Sequence, residues 1–205
     1  VAARRSELLA LLHEAGAARQ DALEPVAPVG REQPLPLSFA QQRVWFLAQL
    51  EADAPPYNEQ GALALDGALD VAALKRALAA IVGRHEVLRT VFPVVDGQVW
   101  QRVEPPGALA FEVVELPAGP GAEQDTAVQA AAAAELARPF DLARGPLLRI
   151  KLLRLAPRRH VLLLTVHHIV SDGWSIGVFI RELATLYADH LAGRPSALPP
   201  PVVQY

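Results

Sequence analysis

His167-His168-Ile169-Val170-Ser171-Asp172-Gly173 brings two imidazoles and a carboxylate together in one short stretch. It follows the apolar run Val161 to Val166, so it reads as a tight loop between a buried strand and a helix. Titratable groups in such a loop are held on rigid elements yet exposed at a turn. Adjacent residues on a strand point to opposite faces, so His167 and His168 cannot both enter one pocket while extended. One imidazole should face packing and the other the open side, unless the loop bends between them. A neutral imidazole aimed at an amine or hydroxyl can orient it and accept its proton, if the reacting atoms come within about 3 Å. Asp172 can hold the turn by pairing with an arginine or by accepting backbone N–H bonds. Gly173 either adopts a backbone conformation closed to bulkier residues or leaves room beside the pocket.

A purely structural reading competes: both histidines satisfied locally, with Asp172 capping the following helix. Two histidines and an aspartate can also ligate zinc, but neighbouring histidines on a strand converge poorly, and no third histidine has suggestive spacing. Arg84-His85-Glu86-Val87-Leu88-Arg89 forms a second charged cluster. There Arg84 and Arg89 can hold buried carboxylates and Glu86 can fix either arginine, as a structural network or as a solvated connection. Ser171 and Ser175 lie near the histidines, but no Gly-x-Ser-x-Gly elbow supports serine hydrolysis. Gly-rich phosphate loops are absent. Trp45, Trp100 and Trp174 share no basic surface and read as core or pocket walls rather than a base-stacking platform.

The elements that must position these residues follow from pattern. Residues 16 to 37 read as a linker, with Pro25, Pro28, Pro34 and Pro36 scattered among Gly, Ala and charged residues. An amphipathic helix from about Ala2 to Ala15, stopped by Gly16, precedes it. Ser38 is a candidate N-cap for a helix through Leu50, with Phe39, Gln42, Trp45, Phe46 and Gln49 grouped by helical spacing. Ala54-Pro55-Pro56-Tyr57-Asn58 breaks that helix, and Ala62 to Leu65 suggests a short strand. Asp70 can cap a helix whose apolar face is Val71, Leu74, Leu78, Ile81 and Val82. Leu88 to Val94 and Gln98 to Val103 are strand candidates joined by Asp96-Gly97, a strong hairpin signal. Ala-rich residues 122 to 137 favour helix until Pro139. Leu147 to Leu155 and His160 to Val166 read as neighbouring strands, the second central and covered on both faces. Ile176, Phe179, Ile180, Leu183, Leu186 and Tyr187 mark a helix to about Leu191. The body is mixed α/β.

With 205 residues and 52% hydrophobic content, the chain can bury a substantial core. Its net charge of −3, from 22 acidic and 19 basic residues, includes no strongly basic tract, so a nucleic-acid role lacks its usual electrostatic signal. Absence of Cys removes disulfides, thiolate nucleophiles and Cys-based zinc sites. The longest apolar runs fall far short of the roughly 20 residues of a membrane span. A cytoplasmic protein that binds neither nucleic acid nor membrane fits this composition.

At these residues the sequence resembles a condensation domain of non-ribosomal peptide synthetases. The family's His-His-x-x-x-Asp-Gly signature is met by His167, His168, Asp172 and Gly173. Its Ser-x-Ala-Gln-x-Arg-x-Trp-x-Leu signature is matched by Ser38, Ala40, Gln41, Arg43, Trp45 and Leu47. Arg-His-Glu-x-Leu-Arg-Thr-x-Phe falls on Arg84, His85, Glu86, Leu88, Arg89, Thr90 and Phe92. The resemblance implies a chloramphenicol-acetyltransferase-like fold: two similar lobes in a V, each a mixed β-sheet packed with helices, with the active site between them. Residues 38–205 then correspond to the N-terminal lobe, ending before the C-terminal one, and residues 1–37 to a linker with an N-terminal helix after a preceding carrier domain. Little activity is expected of one lobe alone.

The implied reaction is amide formation: the α-amine of a carrier-bound aminoacyl acceptor attacks a carrier-bound acyl or peptidyl thioester. The resemblance makes His168 and Gly173 the catalytic positions, Gly173 bordering the reacting thioester. It gives His167, Asp172, Arg84, Arg89 and Arg43 supporting roles, with Asp172 pairing with an arginine of the other lobe. No cofactor is bound by the domain itself, since the substrates ride on phosphopantetheine arms. The implied partners are upstream and downstream carrier domains, the C-terminal lobe and an adenylation domain. Asp-Gly-Trp-Ser-Ile-Gly at 172 to 177 looks more like an ordinary condensation domain using an L-configured donor than an epimerising or cyclising relative. An ester-forming relative stays open, as does a silent domain that only recruits a partner protein.

Overall fold

A computed structural model of the protein describes residues 26–50, 57–117, 119 and 121–204. Its centre is a four-stranded sheet in the order Asn58–Asp66, Arg159–His167, Leu148–Ala156, Phe111–Glu115. The strands are β1 (Asn58–Asp66), β6 (Phe111–Glu115), β7 (Leu148–Ala156) and β8 (Arg159–His167). Both β1 and β7 run antiparallel to β8, whereas β6 runs parallel to β7. The two central strands are the apolar runs the sequence marks, and their alternation sorts the core into two layers. Leu148, Ile150, Leu152, Leu162, Leu164 and Val166 join the main core, whereas Leu153, Leu155 and Leu163 join a smaller cluster on the opposite face.

Among the described residues, four helices cover the sheet: α1 (Phe39–Leu50), α2 (Val71–Arg84), α3 (Gly121–Leu136) and α4 (Gly173–Leu191). The main core takes Leu74, Leu78 and Ile81 of α2 and Phe179, Leu183 and Leu186 of α4, at helical spacing. Val128, Ala131 and Ala132 of α3 pack on the other face. Asp70 caps α2 by accepting the Ala73 N–H at 2.8 Å, and the Tyr187 hydroxyl of α4 accepts the Asp70 N–H at 3.1 Å. The parallel β6–α3–β7 unit makes the fold mixed α/β, as expected, with helices on both faces of the sheet.

Several boundaries differ from the sequence expectation. β1 starts at Asn58, not Ala62, because polar side chains there have specific partners. Asn58 Nδ2 donates to the Leu136 and Arg138 carbonyls at 2.8 and 2.7 Å, and Gln60 Nε2 donates to the Ala132 carbonyl at 3.0 Å. Leu88 and Arg89 lie in a 3₁₀ turn, Glu86–Arg89, rather than a strand. The Leu88 N–H reaches the His85 carbonyl at 3.1 Å and the Thr90 hydroxyl reaches the Glu86 carbonyl at 2.9 Å, which holds the turn. The Asp96-Gly97 hairpin forms between β3 (Val94–Val95) and β4 (Gln98–Val99), with φ of 52° and 75° as a type I′ turn requires. Flanking it, β2 (Thr90–Val91) pairs with β5 (Arg102–Val103). Strand β6 has no counterpart in the sequence reading.

Helix α1 turns a different face to the core than the aromatic grouping suggests. Gln41 is buried and Val44, Trp45 and Ala48 pack on the core, while Phe39 is 91% and Phe46 58% exposed. The reason is the start of the helix, where Ser38 and Gln41 form a reciprocal cap: Ser38 N–H to Gln41 Oε1 at 2.9 Å, Gln41 N–H to Ser38 Oγ at 3.3 Å. Upstream, Leu35 already bridges Gln101 and Leu37 is buried, so the packed body begins slightly before residue 38. The expected helix of residues 2 to 15 lies outside the described residues, as does the proline pair 55–56.

Leu152, fully buried in the main core, should cost about 2–5 kcal/mol when truncated to Ala. Phe39→Ser should change stability by no more than about 0.5 kcal/mol. Urea unfolding midpoints of the two variants check both expectations, and the reverse ranking would contradict this assignment of α1's faces.

Candidate functional site

The last residue of β8 is His167, and the chain turns at once into a short 3₁₀ segment, His168–Val170, before α4. Strand pleating sends His167 to the α3 side, where it is 5% exposed. Its ring lies edge-on to Phe140, centroids 6.1 Å apart, and 6.3 Å from Tyr57. Nδ1 of His167 accepts the Ile169 N–H at 3.1 Å, so the ring serves as an internal cap of the turn. Burial, and then the neighbouring His168, push its pKa down to about 4. Below it the Arg149 guanidinium stacks 3.7 Å from the Phe140 centroid and is paired with buried Glu135.

His168 takes the opposite side. Its N–H donates to the Tyr57 carbonyl at 2.8 Å, closing the end of the β1–β8 ladder, and its side chain is 40% exposed. Imidazole Nδ1 lies 2.8 Å from Glu59 Oε1. The ring borders a cleft of about 320 Å³ whose other walls are Ala40, Gln41 and Val44 of α1, Val87, and the loop through Ser175. Gln41 holds that wall in place, donating from Nε2 to Gln101 Oε1 at 3.2 Å.

Asp172 caps α4, and Ser175 reciprocates. Ser175 N–H donates to Asp172 Oδ1 at 2.8 Å and Asp172 N–H to Ser175 Oγ at 2.8 Å. These bonds, the backbone one first, lower the Asp172 pKa. Gly173 is the first residue of α4, without a left-handed φ, and a Cβ built there meets nothing within 4 Å. Backbone strain therefore gives no reason for a glycine at this position. Ser171 and Ser175 bond each other at 3.2 Å, so neither hydroxyl is poised on a histidine. Trp174 is 82% exposed beside the loop and walls an apolar hollow.

The second cluster braces the helix that carries the loop. Arg84 Nε and His85 Nε2 reach the two carboxylate oxygens of Glu182 on α4, at 3.1 and 2.6 Å. Arg89 pairs with Glu86 at 3.6 Å and donates to the Glu104 carbonyl. Gln204 spans the same corner, accepting the Glu86 N–H and donating to the Arg84 carbonyl, each at 3.0 Å. Arg43 is different. It is exposed and pairs with no carboxylate among the described residues.

Glu59 and Glu182 are the participants that sequence reasoning missed. A β1 that starts at Ala62 leaves Glu59 in an apparent break, and nothing local marks Glu182 as the partner of residues almost a hundred positions away. Among the described residues no group of three or more His, Asp or Glu is arranged for a metal ion, and no helix is long and apolar enough to cross a membrane.

The family model described as Condensation domain matches residues 31–205. A linear gramicidin synthase of Brevibacillus parabrevis is 46% identical over 200 residues, covering 98% of this chain and 3% of that protein. Chondramide synthase cmdD of Chondromyces crocatus is 46% identical over 182 residues, covering 88% of this chain and 5% of that protein. The chain thus spans a small fraction of these curated relatives. Among solved structures, the X-domain in complex with OxyB from teicoplanin biosynthesis superposes with a TM-score of 0.79 at 35% identity, over 89% of this chain and 38% of that one. The starter condensation domain of rhizomide synthetase RzmA gives 0.75 at 28%, over 82% and 40%.

The buried neutral His167 has a pH consequence. Its folded pKa lies below the ordinary value near 6.5, so the unfolded chain binds more protons between the two. Its contribution is intact above pH 6.5 and declines toward pH 4, by up to about 3 kcal/mol. His167→Gln should flatten this part of the stability–pH curve, measured by urea unfolding; an unchanged slope would contradict the assignment. Asp172→Ala should lose about 0.5–2 kcal/mol through the missing cap, while Asp172→Asn stays within a few tenths. Thermal melting distinguishes them.

Proposed function

The chain belongs to the condensation-domain family, and from that premise we propose that it carries the histidine side of a site joining two carrier-bound substrates through an amide bond. The observation that carries this reading is the exposed His168 imidazole, anchored through one nitrogen and facing a cleft, beside a histidine buried out of reach. An aminoacyl acceptor on a downstream carrier presents its α-amine to the free ring nitrogen. His168 orients the amine and takes its proton as the nitrogen attacks the acyl or peptidyl thioester of an upstream carrier. The C–N bond forms, the C–S bond breaks, and the proton passes to the departing thiolate. Positioning supplies much of the gain, because an amine is already a competent nucleophile toward a thioester.

Gly173 contributes as the first residue of α4. Its N–H lies at the positive end of a helix, where a developing oxyanion is stabilised, and the open space around its Cα leaves room for the thioester. His167 and Asp172 support the loop from within, and Arg84 and Arg89 brace the corner beneath it. A second lobe completes the site, the substrates ride on phosphopantetheine arms, and an adenylation domain loads the acceptor. No cofactor resides in the domain itself.

The likeness to the X-domain–OxyB complex supports a second reading, in which the domain docks another protein without making bonds. The anchored, open imidazole favours chemistry over docking alone. In the complete domain, with both carriers loaded, His168→Ala should lower dipeptide formation by about 10²-fold or more while leaving the melting curve unchanged. A full retained rate would reject the role of His168. A wild-type domain that forms no amide but retains a partner protein would favour docking.

A further inference from the structure

We infer that Glu59 is the positioning residue that decides which nitrogen of His168 meets the substrate. The reaction part of this inference rests on the condensation reading; the geometric part does not. Glu59 is the second residue of β1 and lies opposite Val166 of β8, one position back from the end of the ladder. Its neighbours Asn58 and Gln60 direct their amides to carbonyls of the α3 region, so alternation turns Glu59 to the other face, where His168 stands. There Glu59 Oε1 lies 2.8 Å from His168 Nδ1.

A carboxylate only accepts, so the proton of this bond resides on Nδ1. The neutral ring then keeps its lone pair on Nε2, the nitrogen left facing the cleft. The Tyr57 carbonyl clamps the His168 backbone from the same strand entrance, so ring and main chain are held by adjoining residues. Glu59 Oε2 is buried and has no hydrogen-bond partner among the described residues. Asp172, the carboxylate that lines the cleft, is committed to Ser175 and the start of α4.

During amide formation the amine proton moves to Nε2 while Nδ1–H stays hydrogen-bonded to Glu59. The imidazolium that forms sits against a fixed negative charge, and Nε2 then returns its proton to the departing thiolate of the donor arm. The logic is that of a carboxylate behind a catalytic imidazole, reached here from an edge strand.

The test uses the complete domain labelled with nitrogen-15 histidine, the His168 signals being assigned with His168→Gln. In the wild type His168 should carry its proton on Nδ1. In Glu59→Gln, of the same shape but without charge, the population should shift toward Nε2–H or become mixed. With loaded carriers, Glu59→Gln should lower kcat by roughly 10²-fold with little change in KM, and Glu59→Asp should recover part of the loss. An Nε2–H tautomer in the wild type, an unaltered tautomer in Glu59→Gln, or an unaltered kcat overturns the inference. Should the wild type form no amide, the condensation reading fails, and the tautomer measurement still decides the role of Glu59.

Discussion

A strand covered on both faces leaves its terminal residues no freedom in which side they serve. β8 is such a strand, paired with β1 on one edge and β7 on the other, and lined alternately by two apolar layers. Two adjacent histidines at its end are therefore divided by the pleat. His167 is drawn to the aromatic side with Phe140 and Tyr57, and His168 emerges on the side of α1 and α4. Both the desolvation that keeps one ring neutral and the access that leaves the other open follow from that division. The two rings also cooperate mechanically. His167 ties off the turn through Ile169, so the loop that carries His168 is fixed from beneath.

Ion pairs on each face set the helices in register with this sheet. On the α3 side, Glu135 is buried with Arg149 and Lys151 of β7. Burial alone would raise its pKa, but hydrogen bonds from Lys151 and Arg149 hold it below the usual value. On the other side, Glu182 receives Arg84 and His85 from the end of α2. Pairs of this kind add little net stability once desolvation is counted, although removing one partner and leaving the other buried is destabilising. The register of α4 matters most, because its N-terminus is the Asp172–Gly173 end of the loop.

The parts of the fold readable from sequence were those in which a single local rule dominated. The uniformly apolar runs marked β7 and β8, Asp70 and Ser38 marked helix starts, Asp96-Gly97 marked the hairpin, and strand alternation raised the expectation that His167 and His168 part, with only a bend in the loop left open. The unreadable parts were those in which polar residues found distant partners. Asn58, Glu59 and Gln60 look like a loop until the α3 carbonyls and His168 are brought to them. Leu88 and Arg89 look like a strand until Thr90 and Glu104 bind back on the turn. Phe39 and Phe46 look like a buried stripe until the Ser38–Gln41 cap rotates α1.

The chain by itself thus determined a mixed α/β body, the loop that carries the reactive groups, and the opposition of its two imidazoles, because each depends on neighbours within a few residues. It also bore the ordered motifs by which its family is recognised. Which nitrogen of His168 is tethered, which carboxylates hold Arg84 and Arg149, and what walls the cleft were settled only in three dimensions. Those choices depend on a strand edge and helix faces lying tens of residues away, and no local propensity carries information about partners at that separation.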